Sequence, residues 1–253
     1  VATVGKFRCR NRRRNLLTRF INIESLAFQW IVQAGRSALL GVTSLPGTNF
    51  VIRKSALDAA GGWDPEALTE DAELTIRLYE EGYRVTFVPA AVTWEQEPEE
   101  VGTWLRQRTR WARGHNYILA KHLPRLLRMR RRVIALELLY TLSVYYLVFL
   151  AIGISDLLFV LTGAHVISIH ALGPYAEIWL LAFGLFVLET VIALSREVGE
   201  DSLENVALVM LAYFTYCQLW ILVLLRAFMD DVVWRKRRTW AKTERFAEDG
   251  EGA

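Results

Sequence analysis

Three long apolar stretches in the second half of the chain constrain its fold most: Val133–Leu161, Ile178–Leu194 and Val206–Leu225. Each is long enough to cross a hydrocarbon core of about 30 Å, which takes roughly 20 helical residues. Because a backbone in lipid must satisfy its own hydrogen bonds, such stretches fold as helices. We therefore predict an α-helical transmembrane region over residues 133–229.

The composition indicates a charged soluble part joined to this apolar part. Of 253 residues, 53% are hydrophobic and 23% are charged, and the mean hydropathy is +0.22. A soluble chain of this length seldom combines these values, because its core cannot bury so much apolar surface. The charge patterning predicts an integral protein of the plasma or inner membrane, with lipid as a partner.

The number of membrane crossings stays open. Basic clusters at Lys121–Arg132 and Arg235–Arg245 flank the apolar region, and the positive-inside rule places both in the cytoplasm. Two or four crossings satisfy that rule, whereas three do not. Either Phe159–Leu172 completes an additional crossing, or one apolar stretch lies in the membrane interface.

Residues 1–132 have the local signals of an α/β fold. Phe20–Leu40 is a predicted helix, and the polar residues within it argue against a membrane span. Lys54–Ala60 is a predicted short helix that ends at a Gly-Gly pair. Thr69–Glu81 is predicted to be a helix with Thr69 as its N-cap, and Tyr83–Pro89 a buried strand.

An amphipathic pattern runs from Thr103 to Leu123. Trp104, Trp111 and Ile118 recur every seven residues, and the other faces are rich in arginine. Such a helix fits the membrane interface, and we assign residues 98–132 to amphipathic interface helices. The alternative is a surface helix packed on the soluble domain.

An acidic motif, Thr69-Glu70-Asp71, begins the second predicted helix. A carboxylate in a first helical turn is held ionised by the helix dipole and by free backbone N–H groups. An ionised, positioned carboxylate can act as a general base, although acidic residues at this position also serve as ordinary caps.

A second motif is Gln107-Arg108-Thr109-Arg110-Trp111 on the amphipathic helix. Gln107 and Arg110 lie on neighbouring lines of one helix flank, with Trp111 one turn after Gln107. The arginine fork suits a diphosphate, and the indole suits the face of a sugar ring. A basic helix on anionic lipid is the alternative.

Taken in order, the motifs resemble processive family-2 glycosyltransferases, such as cellulose, chitin, hyaluronan and poly-N-acetylglucosamine synthases. The resemblance rests on Leu45–Asn49, Gly61–Trp63, Thr69–Asp71 and Gln107–Trp111, followed by apolar spans. It implies a membrane-bound inverting enzyme that transfers sugar from a nucleotide-sugar donor to a growing polysaccharide. It also implies export partners and a GT-A-type α/β domain.

The resemblance also implies roles for individual residues. Asp71 would be the catalytic base with Glu70 beside it, and Trp111 would stack on the terminal sugar of the acceptor. Gln107 would contact the acceptor, and Arg110 the donor diphosphate. The remaining implied positions are the acceptor-site loop, Gly47, Thr48 and Asn49, and a candidate gating loop, Trp240, Lys242, Thr243 and Arg245.

One departure from the family pattern concerns the metal. The family holds Mg²⁺ or Mn²⁺ through an Asp-x-Asp motif, which this sequence lacks. The chain also begins at Val1 without an initiator Met. We therefore interpret it as the C-terminal half of such an enzyme and as inactive alone. Residues 1–97 would complete the cytoplasmic glycosyltransferase domain, and 230–253 would form a basic cytoplasmic tail.

Two other functional classes also fit parts of the sequence. A non-processive glycosyltransferase acting on a lipid-linked acceptor remains open. So does a membrane scaffold or transport subunit, which Glu137, Asp156 and Glu189 within the apolar region would suit. We expect no nucleic-acid partner, because the basic run Arg8–Arg19 has no aromatic residues within it.

Overall fold

A small mixed sheet forms the centre of the soluble part, as seen in a computed structural model that describes residues 1–124, 132–168 and 175–239. Its strands are β1 (Ala2–Cys9), β2 (Phe50–Ile52) and β3 (Val85–Glu95), in the order β2-β1-β3. β1 is antiparallel to β2 and parallel to β3. The predicted α/β class is confirmed in this limited form, with three strands among mostly helical elements.

β3 is longer than the predicted strand Tyr83–Pro89, because pairing resumes after an irregularity. The partner in β3 jumps from Val88, opposite Gly5, to Val92, opposite Lys6. The second half of β1 then pairs with the extension of β3. Local sequence could not show this, since Pro89 would ordinarily end a strand.

Helices account for most of the described chain. In order they are α1 (Leu16–Ala27), a π-helical segment (Phe28–Ala34), α2 (Gly35–Leu40), α3 (Lys54–Ala59), α4 (Glu70–Glu80), α5 (Val101–His122), α6 (Arg132–Leu142), a π-helical segment (Ser143–Val148), α7 (Phe149–Gly163), α8 (Tyr175–Leu194), α9 (Leu203–Phe214), α10 (Tyr216–Phe228) and a π-helical segment (Met229–Val233).

The predicted helix Phe20–Leu40 is confirmed as α1, π segment and α2 in succession. It begins earlier, at Leu16, because Asn15 caps it and exchanges hydrogen bonds with Thr18 in a capping box. Its buried polar residues hold the soluble fold together. The Gln29 amide makes two hydrogen bonds to the backbone of Phe7, at 2.7 and 2.8 Å.

α5 packs its apolar stripe against other helices. Trp104 is fully buried, and its ring centroid lies 5.3 Å from that of Tyr216 and 6.1 Å from that of Trp220, both on α10. Further along the stripe, Ala112 and Ile118 are also buried. Three residues of the stripe, Trp104, Ala112 and Ile118, are thus covered by protein, whereas Trp111 is half-buried.

α5 also joins the two hydrophobic clusters of the molecule. Ile118 belongs to the cluster under the sheet with Val4 and Leu74. Trp104 belongs to a second cluster that α1 shares with α9 and α10. The soluble and apolar parts therefore share α5 as a common wall.

Among the described residues, three helical stretches are long and apolar enough to cross a membrane: Ile134–Thr162, Glu177–Leu194 and Leu203–Val233. They coincide with the predicted apolar stretches. Large apolar side chains remain exposed along them, for example Leu180 and Leu188 on α8, at 60% and 55% exposure.

The polar break between the second and third stretches, residues 195–205, is tied to the soluble part. Lys6 of β1 forms a buried ion pair with Glu197. Arg8 Nη2 lies 3.0 Å from Glu200 Oε1, and both side chains are largely buried. The second apolar helix therefore ends against the sheet.

Leu203–Val233 runs along the soluble part instead of leaving it. In its middle, the Tyr216 hydroxyl donates to Glu24 Oε2 at 2.7 Å. At its end, Asp231 Oδ1 accepts from Arg113 Nε at 2.9 Å. Start, middle and end of this stretch all contact residues of the first 124.

Candidate active site

Asp71 lies in the first turn of α4, enclosed by protein but still partly accessible to solvent. Burial and, to a smaller extent, the charge of Glu70 raise the pKa of its carboxyl group to about 6, against the opposing effect of backbone N–H groups and Arg110. Asp71 is therefore mostly ionised at neutral pH and a stronger base than an ordinary aspartate.

The loop that contains Gly47 touches this carboxylate. Gly47 has φ of +76°, and a Cβ placed on it would lie 2.8 Å from Asp71 Oδ2. Only glycine combines that backbone with such close approach. The structure thus brings together Gly47 and Asp71, which the sequence analysis assigned to one site.

The other two loop residues are bound elsewhere. The Thr48 hydroxyl donates to the Glu95 carboxylate at the end of β3. The Asn49 side chain donates to the backbone carbonyls of Lys6 and Ala91, each at 2.8 Å. Asn49 therefore holds the irregularity between β1 and β3, and its amide nitrogen is occupied.

A glycine inside α5 brings the two motifs together. A Cβ on Gly114 would lie 2.4 Å from Thr69 Oγ1, so only glycine lets α5 approach the start of α4 this closely. Arg110, one turn earlier, has its Nη1 3.4 Å from the Leu68 carbonyl oxygen. Sequence reasoning missed Gly114, whose signal is a glycine inside a helix, where it costs about 1 kcal/mol.

The same contact explains why Thr69 does not cap α4. Thr69 occupies the predicted N-cap position, but its side chain makes no capping hydrogen bond. The hydroxyl is buried against Gly114, without a hydrogen-bond partner in the described part of the chain. The helix start was predicted correctly, whereas the capping interaction was wrong.

Arg110 lies beside the acidic motif. Burial lowers the pKa of its guanidinium, while the charges of Glu70 and Asp71 raise it. This places a planar cation next to the candidate base, where a diphosphate could also be bound.

Gln107 and Trp111 are half-buried, and both contact Arg108 between them. Arg108 is only 2% exposed and donates through Nη2 to Glu24 Oε2 at 2.6 Å. Its guanidinium lies 4.0 Å from the Trp111 ring centroid, and Nη1 donates to Gln107 Oε1 at 3.2 Å. Arg108 belongs to the arginine-rich faces of the amphipathic pattern, and its burial and its pairing with Glu24 were not predicted from the sequence.

Glu73, two residues after Asp71, fastens α4 to α5. It is fully buried and accepts from Lys121 Nζ at 2.6 Å and from Arg77 Nε at 2.7 Å. Lys121 also donates to Asp64 Oδ2 at 2.7 Å. These contacts fix the orientation of the helix that carries the candidate base.

A further buried carboxylate, Glu97, lies between the end of β3 and the start of α5. Burial raises the pKa of its carboxyl group to about 7, against the attraction of Arg108. Asn11 holds the Glu97 backbone through two hydrogen bonds, of 2.9 and 2.8 Å. No local sequence signal marks this residue.

The carboxylate Glu137, considered as a pore residue, instead pairs with Arg36 at the end of the helix formed by residues 16–40. It lies near the start of the first apolar stretch, next to the soluble part. Its charge is therefore paired with an arginine of the first 40 residues.

The residues present do not fit a divalent metal site. Across the described ranges, no group of three or more His, Cys, Asp and Glu side chains is placed to hold a metal ion.

The candidate gating loop, Trp240, Lys242, Thr243 and Arg245, lies outside the described residues. The segment before it lies against α5. Arg113 Nη2 donates to the Lys236 carbonyl oxygen at 2.7 Å, and the Arg238 guanidinium lies 5.0 Å from the Tyr117 ring centroid.

Comparison with known proteins identifies related sequences. The family model for glycosyl transferase family group 2 matches residues 5–229. The chain is 44% identical over 254 residues to the probable glycosyltransferase YdaM of Bacillus subtilis (strain 168), covering 99% of this chain and 60% of that protein. It is 27% identical over 155 residues to the poly-beta-1,6-N-acetyl-D-glucosamine synthase of Staphylococcus aureus (strain COL), covering 60% of this chain and 37% of that protein.

These matches bear on the extent of the chain. It spans at most about 60% of the length of these two relatives. The family match nevertheless runs from residue 5 to residue 229. It does not support the prediction that the chain represents only the C-terminal half of such a domain.

Proposed function

The chain belongs to glycosyl transferase family group 2, and from this premise we propose that it carries the acceptor-side machinery of a membrane-bound inverting polysaccharide synthase. The observation that carries the proposal is the close approach of α5 to the start of α4 at Gly114 and Thr69. That contact sets Asp71 beside the helix of Gln107, Arg110 and Trp111.

The proposed reaction begins with proton transfer to Asp71. Its carboxylate takes the proton of an acceptor hydroxyl while that oxygen attacks the anomeric carbon of the nucleotide sugar. The new C–O bond forms as the bond to the diphosphate breaks, so the configuration inverts and a nucleoside diphosphate leaves. Its pKa of about 6 leaves Asp71 ionised, and therefore able to accept this proton, at neutral pH.

The other motif residues would bind the two substrates. Arg110 is positioned to pair with the diphosphate of the donor through its planar fork. Trp111 would stack on the terminal sugar of the acceptor, and Gln107 would hydrogen-bond its hydroxyls. Gly47 would line the acceptor site through its contact with Asp71. A requirement for Mg²⁺ or Mn²⁺ is part of the proposal, with ligands other than the residues described.

The proposed membrane arrangement has two crossings, Ile134–Thr162 and Glu177–Leu194, with Leu203–Val233 lying along the soluble part at the interface. The contacts along the whole third stretch support this arrangement. It also places both flanking basic clusters in the cytoplasm, as the positive-inside rule requires.

Cysteine labelling tests this arrangement. In a full-length protein whose Cys9 and Cys217 are replaced, Val198→Cys and Arg235→Cys should react from the cytoplasmic side only. Ala164→Cys should react from the opposite side. Labelling of positions 198 and 235 from opposite sides would instead show a third crossing.

Sugar transfer by the full-length protein in membranes tests the enzyme. A panel of radiolabelled nucleotide sugars, beginning with UDP-N-acetylglucosamine, is supplied with Mg²⁺ or Mn²⁺, and product length is read on a gel. Asp71→Asn should reduce transfer by about 10³-fold at unchanged expression, because the amide has nearly the same shape as the carboxylate but cannot act as a general base.

Each outcome selects one function. Long product that is lost in Asp71→Asn supports a processive synthase. A single added sugar favours the non-processive enzyme with a lipid-linked acceptor. Absence of transfer from every donor, or full activity of Asp71→Asn, contradicts the catalytic assignment and favours the scaffold.

A further inference from the structure

Arg108 covers one face of the candidate acceptor-binding ring. Its guanidinium lies over Trp111 at 4.0 Å from the ring centroid, compared with 5.9 Å from that of Trp220. A sugar that stacks on Trp111 therefore has only the opposite face available. At 2% exposure, Arg108 has no freedom to swing into solvent.

Glu24 on α1 holds this cation in place. Its carboxylate accepts three hydrogen bonds: from Arg108 Nη2 at 2.6 Å, from the Tyr216 hydroxyl at 2.7 Å and from Trp220 Nε1 at 2.8 Å. A buried arginine needs such a partner, because an unpaired charge in the interior is strongly destabilising. Three donors also leave the carboxylate a single orientation.

Two of the three hydrogen-bond partners of Glu24 belong to the last apolar stretch. Tyr216 and Trp220 are on α10, and the Tyr216 hydroxyl additionally accepts from Trp104 Nε1 at 2.9 Å. A continuous series of side-chain contacts thus runs from α10 through Glu24 and Arg108 to Trp111. Each link is a directional hydrogen bond or a ring contact.

We propose that Arg108 is a positioning residue that fixes the plane of Trp111 for stacking on the acceptor sugar, and that Glu24 and α10 fix Arg108 in turn. The proposal rests on the function proposed above and adds a specificity-determining contact behind the Gln-x-x-Arg-Trp motif. A lysine in place of Arg108 would keep the charge but lose the planar contact with the indole.

Steady-state kinetics of the full-length protein in membranes tests this proposal. The donor is the one that the panel identifies, and the acceptor is an oligosaccharide of the same sugar. Arg108→Lys and Glu24→Gln should raise the acceptor KM by roughly tenfold, as expected for loss of a desolvated cation–π contact, with the donor KM unchanged. Tyr216→Phe, which leaves Arg108 and Glu24 in place, should raise it by roughly threefold.

Glu137→Gln is the matched control. Glu137 and Arg36 form another largely buried ion pair between the soluble part and an apolar helix. This variant should lower the melting temperature as the others do and leave both KM values unchanged. A parallel rise of both KM values in all four variants would show a general loss of structure and overturn the proposal.

A double-mutant cycle separates positioning from folding. With Trp111→Phe, whose smaller ring binds cations more weakly, the effect of Arg108→Lys on the acceptor KM should shrink to roughly threefold. An unchanged tenfold effect would show that Arg108 does not act through Trp111. If Arg108→Lys does not fold, Glu24→Gln and Tyr216→Phe take its place, each combined with Trp111→Phe.

The wild type distinguishes the two proposals. If it transfers no sugar from any donor, the proposed function fails, whatever the variants do. If it transfers sugar and the acceptor KM of folded variants stays at the wild-type value, only the role of Arg108 fails.

Discussion

α5 packs on two partners in two different ways. Against α4 it uses a glycine contact and charged side chains, with Gly114 on Thr69 and Lys121 on Glu73. Against α10 it uses aromatic rings such as Trp104, and Arg108 beside them is paired with Glu24 of α1. The α4 side thus holds the candidate base, whereas the α10 side holds the candidate acceptor ring.

Two carboxyl groups near α5 have a raised pKa. The pKa of Asp71, in the first turn of α4, reaches about 6, and its side chain remains partly accessible to solvent. The pKa of Glu97, between β3 and α5, reaches about 7, and the residue is only 7% exposed. Burial therefore raises both pKa values, but Asp71 is the more accessible of the two groups.

Of the changes that test this comparison, breaking the α4 contact at Gly114 should have the largest effect. Gly114→Ala should lower transfer by about 100-fold, since the added methyl group separates the two motifs and displacements of about 1 Å cost that much. Sugar transfer in membranes measures the loss. Gly35→Ala, at a helical glycine with no atom within 4 Å of the added group, is the control and should keep full activity.

A smaller effect is expected from titrating Asp71. Its folded pKa is raised, so the protonated form, which cannot accept a proton, accumulates as the pH falls through about 6. Transfer should decline about tenfold per pH unit below that value. Glu70→Gln should move the decline to lower pH, because it removes a neighbouring negative charge. If the decline of transfer stays at the same pH in Glu70→Gln, a group other than Asp71 is responsible for it.

The smallest effect on transfer is expected for Glu97→Gln, which should instead change stability. A folded pKa of about 7, above the usual 4.5, means that stability is lost as pH rises through 7. Glu97→Gln should therefore be more stable than the wild type at pH 8, by up to about 3 kcal/mol, and similar to it at pH 4.5. Thermal unfolding in detergent at both pH values measures this. An equal shift at both would contradict the charge-based explanation.

Local signals predicted the elements, and contacts distant in sequence decided the site. A glycine stop and an acidic first turn were enough to place α4, and apolar length was enough to place the three long helices. The burial of Arg108 was not predicted, because its partner Glu24 is 84 positions away and a helical period cannot tell a buried arginine from an exposed one. Gly114 was overlooked because its meaning depends on Thr69, which belongs to another helix.

The ion pair between Lys6 and Glu197 has a consequence for biosynthesis. Its two residues are 191 positions apart, so β1 leaves the ribosome long before its counter-charge exists. Until residue 197 has been synthesised, burying Lys6 in the sheet would leave an unpaired charge in the interior. This buried pair can therefore form only after the second apolar helix has been made, so that its formation reports that this helix has been synthesised.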